Sequence, residues 1–225
     1  MHSRYTVRSM DSSVQTAMAS MAGIGERLRV ERTRQRISQR ALAERLGLSP
    51  SLISQIETGR TKPSVSTLYA MVSELGISLD RLFDDDEVEP ARRPTRRAGP
   101  DAGEVQEVVH PHERHVIDLE SGVRWERLTS EHEEEIDFLH VTYGIGGSSS
   151  ADGTLMRHSG REYGYLLSGS LGVQIRFKQF LLEPGDSIAF DSAEPHRLWN
   201  PGDVPAEALW YVVGRDGSRT PLQKH

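Results

Sequence analysis

Hydrophobic positions along this chain change period near its middle. Between residues 38 and 59 the apolar residues recur at helical spacing: Leu42, Ala43 and Leu46 form one stripe, and Leu52, Ile53 and Ile56 form a second. Ser38 stands where an N-cap belongs, and Ser49 followed by Pro50 repeats the signal for the second helix, since Pro gives up no hydrogen bond in a first turn. Gly47 between them can take a left-handed backbone, with Leu48 filling the corner. This pattern predicts two short helices around a tight turn. From Arg114 onward the pattern becomes strand-like: HVIDL, VRWERLT, IDFLHVTYG, EYGYLL, LGVQIRF, SIAF and EALWYVV are separated by Gly, Pro, Ser or Asp. Seven or more short strands with such turns predict a sandwich or barrel.

The segments between and outside these patterns set the expected boundaries. Residues 84–113 carry four Pro and charge blocks of both signs with no apolar period, so they read as a flexible linker, with the Arg92–Arg97 cluster either adding phosphate contacts beside the helical half or, the favoured reading, serving as a solvated hinge. Residues 1–21 are expected to be a disordered tail and lack the apolar core of a signal peptide; residues 215–225 read as a C-terminal tail. The expected domains are therefore 22–83, helical, and 114–214, β-rich. At 225 residues the chain is long enough for two cores.

Composition narrows the function. Without cysteine there is no disulfide framework and no thiolate zinc site. No stretch approaches the roughly twenty apolar residues of a membrane span, so the expectation is a cytoplasmic protein. The net charge of −6 conceals a division, because residues 22–82 hold ten Lys+Arg against six Asp+Glu, whereas residues 83–225 hold 15 against 26. A basic front end is drawn to phosphate, and an acidic remainder is kept away from it. In the second helix Ser51, Ser54 and Gln55 are left outward, a small, uncharged, hydrogen-bonding face that suits base edges.

The run from Ile24 to Phe83 resembles the five-helix DNA-binding domain of the phage-repressor (Cro/C1, or XRE-type) regulators. The resemblance implies that Gln39 anchors to phosphate and that Pro50, Ser51 and Gln55 contact bases. It also implies that Arg32 pairs with Glu57. The expected DNA face is Gln39, Ser49, Pro50, Ser51, Ser54, Gln55, Arg60 and Lys62.

Two stretches of the β-rich half, GTLMRHSGREYGYLLSG and EPGDSIAFDSAEPHRLWN, resemble the two motifs of the cupin barrel, a double-stranded β-helix. The family pattern supplies three histidines and a glutamate as metal ligands. Here Met156 stands at the first histidine position, leaving His158, Glu162 and His196. Two histidines and a carboxylate suit a divalent ion such as Fe, Zn, Mn or Ni, or can hydrogen-bond an organic ligand without a metal. In an unbroken strand His158 and Glu162 would lie about 13 Å apart, so Ser159–Gly160 must turn the chain. The expected effector pocket is Met156, His158, Glu162, His196 and Leu198. The remaining histidines, and Trp125, Trp199 and Trp210, read as ordinary strand, core or dimer residues.

The combined reading is an α + β two-domain chain: a transcription factor, expected to be a repressor, that binds a double-stranded operator, dimerises through its cupin and senses a small molecule there. The same arrangement occurs in the family that includes the putrescine-utilisation repressor. The same layout also resembles the non-haem iron epoxidase of fosfomycin biosynthesis, which leaves a mononuclear iron oxidoreductase as the alternative, with a metal-independent sugar isomerase of the cupin type behind it. The polar reading face and basic front end favour the regulator.

Overall fold

The computed structural model describes residues 12–77, 79–83, 108–130, 133, 136–150 and 152–214. Its helical half contains α1 (Ser12–Arg34), α2 (Gln39–Leu46), α3 (Pro50–Glu57) and α4 (Val65–Leu75). The caps expected from the sequence are present. Ser38 and Ser49 accept from the backbone N–H groups of Ala41 and Leu52, and Gly47 takes φ 66°. Gly25 allows α1 to lie against the end of α3, because a Cβ there would sit 2.3 Å from the Ile56 carbonyl oxygen.

Two expectations are corrected here. Helix α1 begins at Ser12, so residues 12–21 are helical rather than part of a disordered tail; the segment has no Pro and no Gly before Gly23, and Ala17, Met18 and Ala19 favour helix. Residues 1–11 lie outside the described residues. Among the described residues there are four α-helices, and a single 3₁₀ turn (Asp80–Leu82) stands where a fifth was expected. Buried Leu79 and Leu82 anchor that turn without requiring a longer helix.

The second half contains β1 (Val116–Asp118), β2 (Val123–Arg127), β3 (Ile136–Tyr143), β4 (Arg161–Ser168), β5 (Leu171–Ile175), β6 (Lys178–Leu182), β7 (Ser187–Asp191), β8 (His196–Trp199) and β9 (Ala206–Val213). One sheet runs β1-β2-β3-β9-β4-β7 and the other β6-β5-β8, with every pairing antiparallel. Alternation of inward and outward residues along β3 and β9, and along β4 as far as Leu167, is what a sheet with one face on the core requires. Strand β6 was missed in the sequence. The run LGVQIRF ends early because the chain reverses at Arg176–Phe177, with Arg176 itself at φ 54°, and β6 is exposed except at Leu182.

The two halves are not merely tethered. The backbone N–H of Ser66 donates to the Ser149 carbonyl oxygen at 2.9 Å, and that of Glu120 donates to Pro63 at 2.9 Å. The Arg127 guanidinium lies over the Phe83 ring, and Tyr69 meets Trp125 edge-on at 5.5 Å. Besides the linker expected over 84–113, α4 therefore docks directly on the barrel. The cause is readable in α4, where Val65, Leu68, Tyr69, Met71, Val72 and Leu75 are all buried: too wide an apolar surface for the helical core alone. Residues 84–107, with the Arg92–Arg97 cluster, lie outside the described residues, as does most of the acidic run at 131–135. The 108–113 end of the expected linker includes a 3₁₀ turn at Pro111–Glu113.

Candidate functional site

The expected DNA face is built on the outer side of α3 and its N-cap. Ser49, Pro50, Ser51 and Gln55 are exposed, Ser54 is half-buried, and Ile53 and Ile56 hold the opposite side in the core. Arg60 is exposed beyond the helix end. Lys62 lies 3.9 Å from Asp118 of β1, so in this docked arrangement it faces the barrel's edge. The pose of α3 is fixed from beneath. Arg32 clamps the buried Glu57 with two bonds, Nε to Oε1 at 2.5 Å and Nη2 to Oε2 at 2.8 Å, and also donates to the Ile37 carbonyl. Gln39 donates to Glu57 Oε2 at 2.7 Å, which fixes its amide and leaves its second N–H available.

The cupin motifs bring His158, Glu162 and His196 together, with their candidate ligand atoms all within 4.8 Å of one another and all three residues buried. The turn is made at Gly160, at φ 106°, where a Cβ would meet the Val213 carbonyl oxygen at 2.6 Å. His196 begins β8 and bridges Met156 through paired backbone bonds.

The tautomers follow from the neighbours. His158 Nδ1 lies 3.0 Å from the Ser159 carbonyl oxygen and His196 Nδ1 2.8 Å from that of Glu194. A carbonyl only accepts, so both Nδ1 atoms carry hydrogen and both Nε2 atoms of the neutral rings present lone pairs. Those Nε2 atoms lie 3.0 and 3.1 Å from the same carboxylate oxygen, Glu162 Oε1. None of the three makes a well-aligned hydrogen bond. Three electron-pair donors crowded in a buried site need a cation, or protons, among them. The donor set fits a divalent metal ion.

Protons are the other way to relieve this crowding, and the electrostatics run in that direction. Burial pushes the Glu162 carboxyl up, but the two imidazoles outweigh it and hold the group well below the usual carboxylate range. Burial depresses His196 while Glu162 raises it, and the net direction is upward. Burial, then the charge of Glu162, pushes the Tyr143 hydroxyl far above its ordinary value, so it stays neutral.

Several residues at this site were not identified from the sequence. Trp210 Nε1 donates to Glu162 Oε2 at 2.7 Å, orienting the carboxylate as outer-shell partners of metal ligands do. Gly164 makes room for that indole, since a Cβ would fall 2.1 Å from its ring. Besides Met156 and Leu198, the small cavity beside the triad is walled by Trp125, Leu139, Val141, Tyr143 and Trp210, and by Val65 and Tyr69 of α4. A buried indole must place its N–H, which was the available signal for Trp210. Nothing local in the sequence pointed Tyr69 at the barrel.

Comparison with known proteins gives the same two parts. A helix-turn-helix family model matches residues 28–82, and a cupin domain model matches residues 139–212. The chain is 30% identical over 178 residues to the HTH-type transcriptional regulator PuuR of Escherichia coli, covering 78% of this chain and 86% of that protein. It is 35% identical over 63 residues to the immunity repressor protein of Bacillus phage phi105, across 28% of this chain and 44% of that one. Among solved structures, an HTH_3 family transcriptional regulator from Vibrio cholerae superposes with a TM-score of 0.60 at 20% identity, covering 88% of this chain and 98% of that one. That likeness shows the shared two-domain fold.

Proposed function

The chain belongs to the family of helix-turn-helix transcriptional regulators with a cupin domain that includes PuuR, and from that membership we propose that it is a one-component repressor, dimeric and responsive to a small effector. Its front half reads DNA through α3, and its cupin holds the effector against His158, Glu162 and His196. The observation that carries this reading is the division of polar groups: Ser51 and Gln55 are exposed on a helix whose other side is locked in place, while the polar triad is buried. As a DNA-bound regulator it works in the cytoplasm; among the described residues no helix is long and apolar enough to cross a membrane.

A single α3 covers one half-site, so a two-fold dimer reads half-sites about 34 Å apart or a multiple of that. The outer face of the larger sheet supports pairing through the cupin. Tyr163 and Tyr165 are exposed beside Tyr211, Phe138 and Ile188, around a groove of about 350 Å³.

The DNA reading is tested with Gln55→Ala and DNA from upstream of the protein's own gene. Specific affinity is expected to fall by about 1–3 kcal/mol, with affinity for random DNA unchanged. An equal loss on both would remove Gln55 from base contact. Gln39→Ala, by contrast, is expected to weaken both complexes, because a phosphate anchor carries no sequence information.

The triad is proposed to hold one divalent ion, Fe, Zn, Mn or Ni, through His158 Nε2, Glu162 and His196 Nε2. Such an ion supplies a positive centre with open positions for an effector's oxygen or nitrogen. Met156, at the position of the family's first histidine, makes that wall apolar instead. Metal content measured on purified protein is expected to be near one ion per chain and to drop at least about tenfold in His196→Ala. A wild-type protein without metal after reconstitution would leave the three groups as hydrogen-bonding residues only.

A further inference from the structure

Helix α4 serves two cores at once. Leu68, Met71, Val72 and Leu75 are buried, while Val65 and Tyr69 also form part of the wall of the barrel cavity. The Tyr69 ring lies flat on the imidazole of His158, with centroids 4.2 Å apart and planes 5° from parallel. The cavity that remains is about 10 Å³. That is room for about one water or a bare ion, whereas pockets that hold an organic ligand of ordinary size measure roughly 300 Å³ or more.

Entry therefore needs a wall to move. The walls from β2, β3, β8 and β9 are held in hydrogen-bonded ladders, and opening them would break strand pairing along β2–β3, β3–β9 and β5–β8. Helix α4 and the loop before it are joined to the barrel by the Ser66–Ser149 and Glu120–Pro63 backbone bonds, the Lys62–Asp118 ion pair and side-chain packing, and the same helical half also meets the barrel where Phe83 lies under Arg127 and α1 lies against β1. Its detachment breaks isolated backbone bonds, one ion pair and side-chain packing but no strand ladder.

We propose that the effector site is shared between the two halves, and that α4 is its door. Tyr69 fills the place of the effector's flat apolar part, and an organic ligand reaches the triad only when α4 lifts from the barrel. This rests on the reading of the triad as the sensing site. The ligand class it implies has a planar apolar body that can replace the tyrosine ring over His158, and a polar group that reaches Glu162 and the histidines. Docked α4 and bound effector then exclude each other, so the effector draws the population toward the undocked arrangement. Since α3 and α4 share one packed core, the reading helix moves with the door.

The test uses full-length protein in the presence of chelator and measures reaction of His158 with diethyl pyrocarbonate by peptide mass spectrometry. With no native cysteine, the double variant S66C/S149C can form a single engineered disulfide across the docking contact. Its reduced form is the reference, because Ser149→Cys also removes the hydroxyl that accepts from the Leu198 N–H. When oxidised the double variant should react at least about tenfold more slowly, and Tyr69→Ala should react at least about tenfold faster, since modification requires local opening. A rate that the disulfide leaves unchanged would overturn the proposal, because the pocket would then be reached by another route. Access is read here without DNA or effector. An operator complex that ignores every effector would count against the sensing reading alone.

Discussion

Replacing Arg32 with Met is expected to cost about 3–5 kcal/mol of folding stability, measured by urea unfolding, because it strands Glu57 as a buried carboxylate without its cation. The effect should be this large because the pair is not a surface salt bridge. The Glu57 side chain is fully buried, and both guanidinium bonds run to it from a helix that is otherwise held to α3 by apolar contacts and the close approach at Gly25. Gln39 cannot replace the lost charge. It already donates one N–H to the same carboxylate, and a neutral amide supplies no net positive charge. Arg32→Met combined with Glu57→Leu should recover much of the loss, since removing both partners removes the unpaired ion. If the single variant lost under about 1 kcal/mol, the pair would be contributing no more than an exposed one.

The second large effect is expected on DNA affinity from residues that do not touch DNA. Tyr163 and Tyr165 project from β4 on the side away from the triad, because Glu162, Gly164 and Leu166 alternate inward. Tyr163→Glu with Tyr165→Glu places two charges on the proposed dimer face. Sedimentation should then report a monomer. Affinity for a two-fold operator should fall by about 10²–10⁴, the usual loss when two linked binding heads are separated. Circular dichroism should be unchanged, since neither side chain enters the barrel core. A double variant that remains dimeric would move the interface elsewhere, with the exposed Phe177, Phe180 and Leu181 of the β5–β6 hairpin as the next surface to alter.

The local devices of this protein were legible in its sequence. Helical and strand periods, the Ser38 and Ser49 caps, the Gly47 turn and the need for a bend between His158 and Glu162 each depend on residues a few positions apart, and the structure contains them. Strand β6 was less legible because its residues are almost all exposed, so no alternation marks it. Helix α1 was placed too late because a polar, low-complexity beginning resembles a tail, even where nothing in it breaks a helix.

What the sequence by itself determined is therefore the class of each half and the residue types that could do chemistry: the second helix of a helix-turn-helix at 50–57, and two histidines and a glutamate in cupin motifs. Only the tertiary structure decided which groups meet across distance. It set the Trp210 indole on Glu162, the space for that indole at Gly164, and the Tyr69 ring on His158. A periodic pattern reports that a side chain is buried, but not against what, because burial is favourable against any apolar surface and carries no address. The over-wide apolar surface of α4 announced a second partner. Its identity, the mouth of the barrel, depended on how two distant segments pack.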